Sequence, residues 1–267
     1  MKLTLCGTGA GAFTAQRASS GYVLESDGRT IMLDCGPGSI RNALIAGIEL
    51  RDIEAIFISH IHEDHCFDLS GLAVQAMYGR FERLPVLYGP PGVGEAAARL
   101  MTMHRATAQL PPIEVIEIEA SDEREACGFQ VCSEETPHAP DLRAFSRRFS
   151  SNGKTLVCSG DTAPNPEMMC VLARDSDLLL HESYSRAGLE RYAAQGSKER
   201  EARLLERLPH THSELRGVAA IARDSGTKHL VLTHILPTED EAEMEKVARE
   251  SYSGKLTLAR DGMVIEI

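Results

Sequence analysis

Ser59-His60-Ile61-His62-Glu63-Asp64-His65 is the stretch that decides how this chain folds. Three histidines and an aspartate stand within six positions, directly after the apolar run 55–59. Such a run reads as a buried strand. Imidazole nitrogens combined with a carboxylate suit zinc and similar borderline metals. Neighbouring ligands cannot all point one way, so the segment can serve two adjacent ions. His60 and His62, two apart, share a side, while Asp64 and His65 turn toward a second position.

Working outward, the same design recurs. Strands are expected at 2–5, 22–26 and 30–33, with Asp27-Gly28 as a hairpin turn between the last two. Further strands are expected at 85–88, 155–158, 177–180 and 229–233. The last three lead into Ser159-Gly160-Asp161, His181-Glu182 and His234. His138 lies between Pro137 and Pro140, which hold the backbone extended. Helices are expected at 39–46, 69–80, 92–105 and 239–250. Rigid strands that each end in an ionisable residue can converge on one sheet edge. Strand-rich halves, each followed by helices, predict an α/β fold of the αββα type, two mixed β-sheets flanked by helices. No linker is apparent, so residues 1–267 read as a single domain.

Composition narrows the chemistry. The chain has 267 residues, with 28 basic and 39 acidic side chains, for a formal charge of −11. That balance counts against tight binding of long nucleic acid and leaves small-molecule substrates open. Seven cysteines, without CxxC spacing, read as reduced thiols of a cytoplasmic protein. No apolar run reaches the roughly 18 residues of a membrane span, and the first residues lack the apolar core of a secretory signal.

With these residues in view, the chain resembles the metallo-β-lactamase fold hydrolases, in the branch of ribonuclease Z and the arylsulfatase-like enzymes. The resemblance rests first on His60–His65. It extends through Leu5-Cys6-Gly7-Thr8-Gly9, Ala18-Ser19-Ser20-Gly21-Tyr22, Leu33-Asp34-Cys35-Gly36-Pro37-Gly38 and Leu87-Tyr88-Gly89-Pro90. It implies two zinc ions, manganese or iron being alternatives. His60, His62 and His138 would hold one; Asp64, His65 and His234 would hold the other; Asp161 would bridge them. Asp34 matches a recurrent acidic position and reads as a partner of the ligands or a strand-end cap.

Two cations so placed activate a water and offset negative charge on a carbonyl, phosphoryl or sulfuryl oxygen. Asp64, His212 and Glu182 are the candidate catalytic residues. Thr211 followed by Glu214 reads as a capping box, which puts His212 in the first helical turn. The resemblance implies that Glu182 orients His212 as proton donor. Ser213-Glu214 stands where ribonuclease Z carries Ser-Thr, and the Gly/Pro-rich basic arm with which that family grips transfer RNA is missing. Instead a charged segment, 185–208, offers Tyr184, Leu189, Tyr192 and Leu204 as pocket walls and leaves room for a homodimer. The leading expectation is therefore hydrolysis of a small ester, lactone, sulfate ester or phosphodiester, with a ribonuclease-Z-like action on RNA as the alternative. Arg143 and Arg147, of equal parity, are expected on a solvated strand face.

Overall fold

A computed structural model describes residues 1–12, 14–79, 81 and 83–267. Among them, the chain builds two seven-stranded mixed sheets. The first is ordered β14-β1-β2-β3-β4-β5-β6: β14 (Val264–Glu266), β1 (Lys2–Gly7), β2 (Gly21–Ser26), β3 (Arg29–Cys35), β4 (Ile53–Phe57), β5 (Val86–Gly89) and β6 (Val115–Glu117). The second is ordered β13-β12-β11-β10-β9-β8-β7: β13 (Lys255–Leu258), β12 (His229–Thr233), β11 (Leu178–Glu182), β10 (Lys154–Cys158), β9 (Ala144–Ser151), β8 (Phe129–Thr136) and β7 (Asp122–Ala126). The expected α/β architecture of two mixed sheets flanked by helices is the observed one.

Alternation explains the layers. Leu3, Leu5, Leu24, Ile31 and Phe57 of one sheet meet Phe129, Phe145, Phe149, Leu156 and Leu180 of the other. The opposite face of the first sheet is covered by α1 (Ser39–Ile45), α3 (Leu69–Met77) and α4 (Val93–Met101). The second is covered by α5 (Pro166–Leu172), α8 (Leu215–Asp224) and α9 (Glu241–Arg249). A one-turn helix, α2 (Glu63–Cys66), carries part of the histidine motif. The hairpin α6 (Arg186–Ala193) and α7 (Lys198–Arg207) stands apart from both layers, on a small cluster of Ala10, Tyr184, Leu189 and Leu236. No helix of the described residues is long and apolar enough to cross a membrane.

Asp27-Gly28 makes the expected hairpin turn, both residues having positive φ. The helix expected at 69–80 ends at Met77, and Arg80 lies outside the described residues.

Two expectations need correcting. The helix expected with Thr211 as its N-cap begins three residues later: α8 starts at Leu215, with Glu214 as its N-cap. The Thr211 hydroxyl instead turns back to the Arg207 and Leu208 carbonyls, and His212 N–H donates to Leu208 O. A local capping signal yields here to the contacts of the preceding turn. Arg147 does not lie on a solvated face. It sits on β9 between Phe145 and Phe149, points between the sheets and is only 3% exposed. Arg143, just before that strand, does reach solvent and pairs with Glu135 at 2.8 Å and Glu119 at 2.5 Å.

Candidate metal centre

Strand ends gather the ionisable residues. Parallel β4, β10 and β12 stop just before His60, Asp161 and His234, and β8 stops two residues before His138. Close backbone approach locks the loops together. A Cβ on Gly36 would lie 2.0 Å from Asp64 O, so only glycine lets the β3 loop pass beneath α2. His234 and Asp34 both hold left-handed φ, 56° and 54°, at the ends of their strands.

Two clusters result. In the first, His62 Nδ1 lies 2.9 Å from His60 Nε2 and 3.2 Å from His138 Nε2. In the second, His234 Nε2 lies 3.4 Å from Asp64 Oδ2, and His65 Nε2 lies 3.6 Å from the same oxygen. Asp161 faces both. Its Oδ1 is 3.3 Å from His65 Nε2, and its Oδ2 is 3.3 Å from His234 Nε2 and 3.9 Å from both His60 and His138 Nε2. All seven residues named from the sequence as ligands are thus in one place.

The donor set fits divalent cations. Nitrogens around a tetrahedral zinc with bonds of ~2.05 Å stand about 3.3 Å apart, close to the separations here. His65 Nε2 and Asp161 Oδ1 are buried with no hydrogen-bond partner among the described residues. Buried polar atoms are rarely left so unless something else binds them. The remote ring nitrogens, by contrast, are engaged. His65 Nδ1 donates to Asp34 at 2.8 Å, His138 Nδ1 to the Thr211 carbonyl at 2.7 Å, and His60 Nδ1 lies 3.0 Å from Ser59 Oγ. These contacts turn each Nε2 lone pair inward. Burial pushes the imidazoles of His60, His62 and His138 below their usual range, which keeps them neutral. Burial works to raise the Asp64 carboxyl, but the pull of His65 and His234 prevails, and its pKa falls to about 2. Asp161 is held well below the usual carboxylate range in the same way.

Beside the clusters, His212 Nδ1 stands 3.1 Å from Glu182 Oε2. Glu182 also accepts from Thr162 N–H at 2.9 Å and Ser213 N–H at 3.3 Å. Burial works against the charged imidazole, yet Glu182 and Asp161 outweigh it and raise His212 to about 9. Ser213 Oγ donates to Thr162 O at 2.9 Å and is buried, so its hydroxyl braces the loop. His181 is fully buried and bonds the Glu182 carbonyl through Nδ1. A cleft of about 310 Å³ opens over the clusters, with Tyr184, Tyr192, Leu204, Leu208 and Leu236 as its walls. Leu189 is buried beneath it and does not line it. The small residues of 10–12 on the rim were missed in the sequence, although Gly9-Ala10-Gly11 marks a place of close approach: a Cβ on Gly11 would lie 3.2 Å from Asp64 Oδ2.

Fold and site together define a metal-dependent hydrolase of the metallo-β-lactamase fold. Residues 1–190 match the family model of the anti-Pycsar protein Apyc1, and the chain belongs to that family. It is also 25% identical over 284 residues to ribonuclease Z of Mycobacterium bovis, covering 100% of this chain and 98% of the relative. Human tRNase Z, short form, superposes with a TM-score of 0.74 at 25% identity, covering 100% of this chain and 99% of the other. The metallo-β-lactamase fold protein YhfI of Bacillus subtilis superposes with a TM-score of 0.79 at 21% identity, covering 99% and 98%.

The expectation of a small-molecule substrate, with nucleic acid disfavoured and RNA only the alternative, is overturned by the ribonuclease Z and tRNase Z relatives that span the whole chain. The physical reason is that a charge of −11 sums the entire surface, whereas a nuclease meets RNA locally. At this site Arg207 is exposed, borders a cleft that reaches His62 and His138, and forms no ion pair among the described residues.

Proposed function

We propose that the chain is a ribonuclease-Z-like phosphodiesterase that cleaves RNA with two zinc ions. The ions would be held by His60, His62 and His138 and by Asp64, His65 and His234, with Asp161 between them. Manganese or iron fits the same histidine–carboxylate donors. The observation that carries this reading is Asp161, whose Oδ2 stands between the clusters, 3.3 Å from His234 Nε2 and 3.9 Å from His60 and His138 Nε2, while its Oδ1, 3.3 Å from His65 Nε2, has no hydrogen bond among the described residues. The full-length likeness to ribonuclease Z supports RNA as the substrate. The seven free cysteines support a cytoplasmic location. The core shared by both sheets supports residues 1–267 acting as one domain.

When bound, the cations supply Lewis acidity toward a phosphate oxygen and lower the pKa of a water. The chain's own residues do the rest. Asp34, Ser59 and Thr211 O fix the ligand rings. Glu182, held by two backbone N–H groups, orients His212 through Nδ1. His212 Nε2, on the cleft side, carries the proton that the departing ribose oxygen needs. The apolar walls exclude competing water.

The test is cleavage of an RNA hairpin with a single-stranded 3′ extension, using zinc-loaded and metal-stripped protein. Cleavage restored by zinc supports the reading. No cleavage by zinc-loaded protein at low salt, while bis(p-nitrophenyl) phosphate is hydrolysed, overturns the RNA substrate. Equal cleavage by stripped protein overturns the metal.

A further inference from the structure

The α6–α7 hairpin is built onto the site in a particular way. α6 is anchored: Leu189 and Ala193 are buried, and its N-cap Ser185 bonds Glu239 through N–H at 2.7 Å and Oγ at 2.5 Å. α7 buries no residue fully and leans on α6; its Leu204, and Leu208 just past its end, face the site. These two leucines form a ridge. On one side lies the 310 Å³ cleft; on the other lies a second cleft of about 190 Å³, bordered by His138, Ala139, Arg207 and Thr211. Both clefts open on His62 and His212.

A phosphodiester has two ester arms. With its phosphorus over the metal ligands, one arm enters each cleft. The two clefts differ in chemistry. The larger has an ionisable floor and walls of two tyrosines and three leucines, at the small end of the ~300–1,000 Å³ range of ligand pockets. That is room for one nucleoside. Tyr192 is half-buried in this wall, and the Arg200 guanidinium lies 4.8 Å from its ring centroid. Arg200 also donates to Tyr192 O at 3.3 Å, which clamps the tyrosine in place. A fixed aromatic face in an apolar wall suits a flat base, because every base has a π-face. Among the described residues the smaller cleft has no phenylalanine or tyrosine wall and carries exposed Arg207 at its border, which suits a ribose followed by a phosphate.

We infer that the larger cleft is a nucleobase subsite in which Tyr192, clamped by Arg200, stacks one base next to the scissile bond, and that Arg207 meets the phosphate on the other arm. This inference rests on the phosphodiesterase reading above and adds to it which arm is recognised and by what.

The experiment compares three dinucleotides as substrates of the zinc-loaded protein: one with both bases and two with either base removed. The wild type is expected to lose about 10–100-fold in kcat/KM when one particular base is absent and under about 3-fold for the other. In Tyr192→Ala the ratio between substrates with and without that base is expected to collapse toward one, mainly through KM, and Tyr192→Phe to restore it. Arg207→Gln is expected to erase the gain from a terminal phosphate added on the arm whose base is dispensable. Wild-type indifference to both bases overturns the subsite while leaving the phosphodiesterase standing, and needs no variant to fold. Failure to hydrolyse any of the three overturns the phosphodiesterase reading and the subsite with it.

Discussion

Asp34 Oδ2 stands 2.8 Å from His65 Nδ1, and the same carboxylate takes the Ser59 N–H at 2.7 Å and hydroxyl at 3.0 Å. One buried aspartate thereby joins the end of β3 to the loop after β4 and sets which nitrogen of His65 carries the proton. With Nδ1–H donating to Asp34, Nε2 keeps its lone pair toward Asp161. Asp34→Asn keeps the left-handed backbone, which asparagine tolerates. It also sets an amide N–H₂ against His65 Nδ1–H, which favours the wrong tautomer. The expected outcome is a ~10–100-fold loss of zinc affinity, measured by competition with a chromogenic chelator. Unchanged affinity would remove Asp34 from the account of the centre.

In the proposed reaction His212, oriented by Glu182, serves the departing oxygen, so the effect of removing it is expected to depend on the leaving group. His212→Ala lowers kcat on RNA by about 10²–10⁴-fold. On bis(p-nitrophenyl) phosphate, whose leaving group departs without a proton, the loss is expected to stay within about 10-fold. Bound metal, counted by elemental analysis, should not change. Equal losses on both substrates would contradict a proton-donor role.

His229 gives a pH dependence away from the metal ligands. Burial, with a smaller push from Lys255, lowers its imidazole to about 4; its Nε2 lies 2.9 Å from Thr257 Oγ1. The unfolded chain takes up this proton near pH 6.5, the folded one near 4. Between those values the unfolded state binds more protons, so this stability is fully present above about 6.5 and is lost as pH falls toward 4. The contribution is at most ~3 kcal/mol. Denaturant titrations of wild type and His229→Gln across pH 4–7 check it: the variant is expected to show the flatter profile, and parallel profiles would contradict it.

Arg147 is a buried cation without a carboxylate partner among the described residues. Its Nε and Nη2 find no acceptor among the described residues, and the guanidinium lies against Phe57 and Phe145, 5.9 and 5.7 Å from the ring centroids. Burial pulls its pKa down to about 10, against the attraction of Asp34. Replacing such a charge by an apolar side chain of similar length is often neutral or stabilising by ~1–4 kcal/mol. Arg147→Met is therefore expected to keep or raise the thermal midpoint. A fall of several degrees would show that the guanidinium is paired in solution.

Much of this was legible in the sequence, for reasons that particular residues make plain. Histidines at 60, 62 and 65 need one another's chemistry, and their spacing after a buried strand leaves few alternatives. His138, Asp161 and His234 were weaker signals, each resolved only by its place at a strand end. Arg147 shows the limit of periodicity: parity tells which residues share a face, but not whether that face looks inward. The start of α8 shows the limit of capping signals, because Thr211 is claimed by Arg207 and Leu208 carbonyls upstream. Substrate class was misread because net charge is a sum over the whole surface and the cleft is local.

The most direct measurement is the metal content of the purified chain after zinc loading and gel filtration, set beside that of Asp161→Ala. The account expects about two zinc ions per wild-type chain, a clear deficit in the variant, and RNA cleavage that follows the metal count. A wild-type chain that retains no zinc, or a stripped chain that cleaves at the full rate, would contradict it.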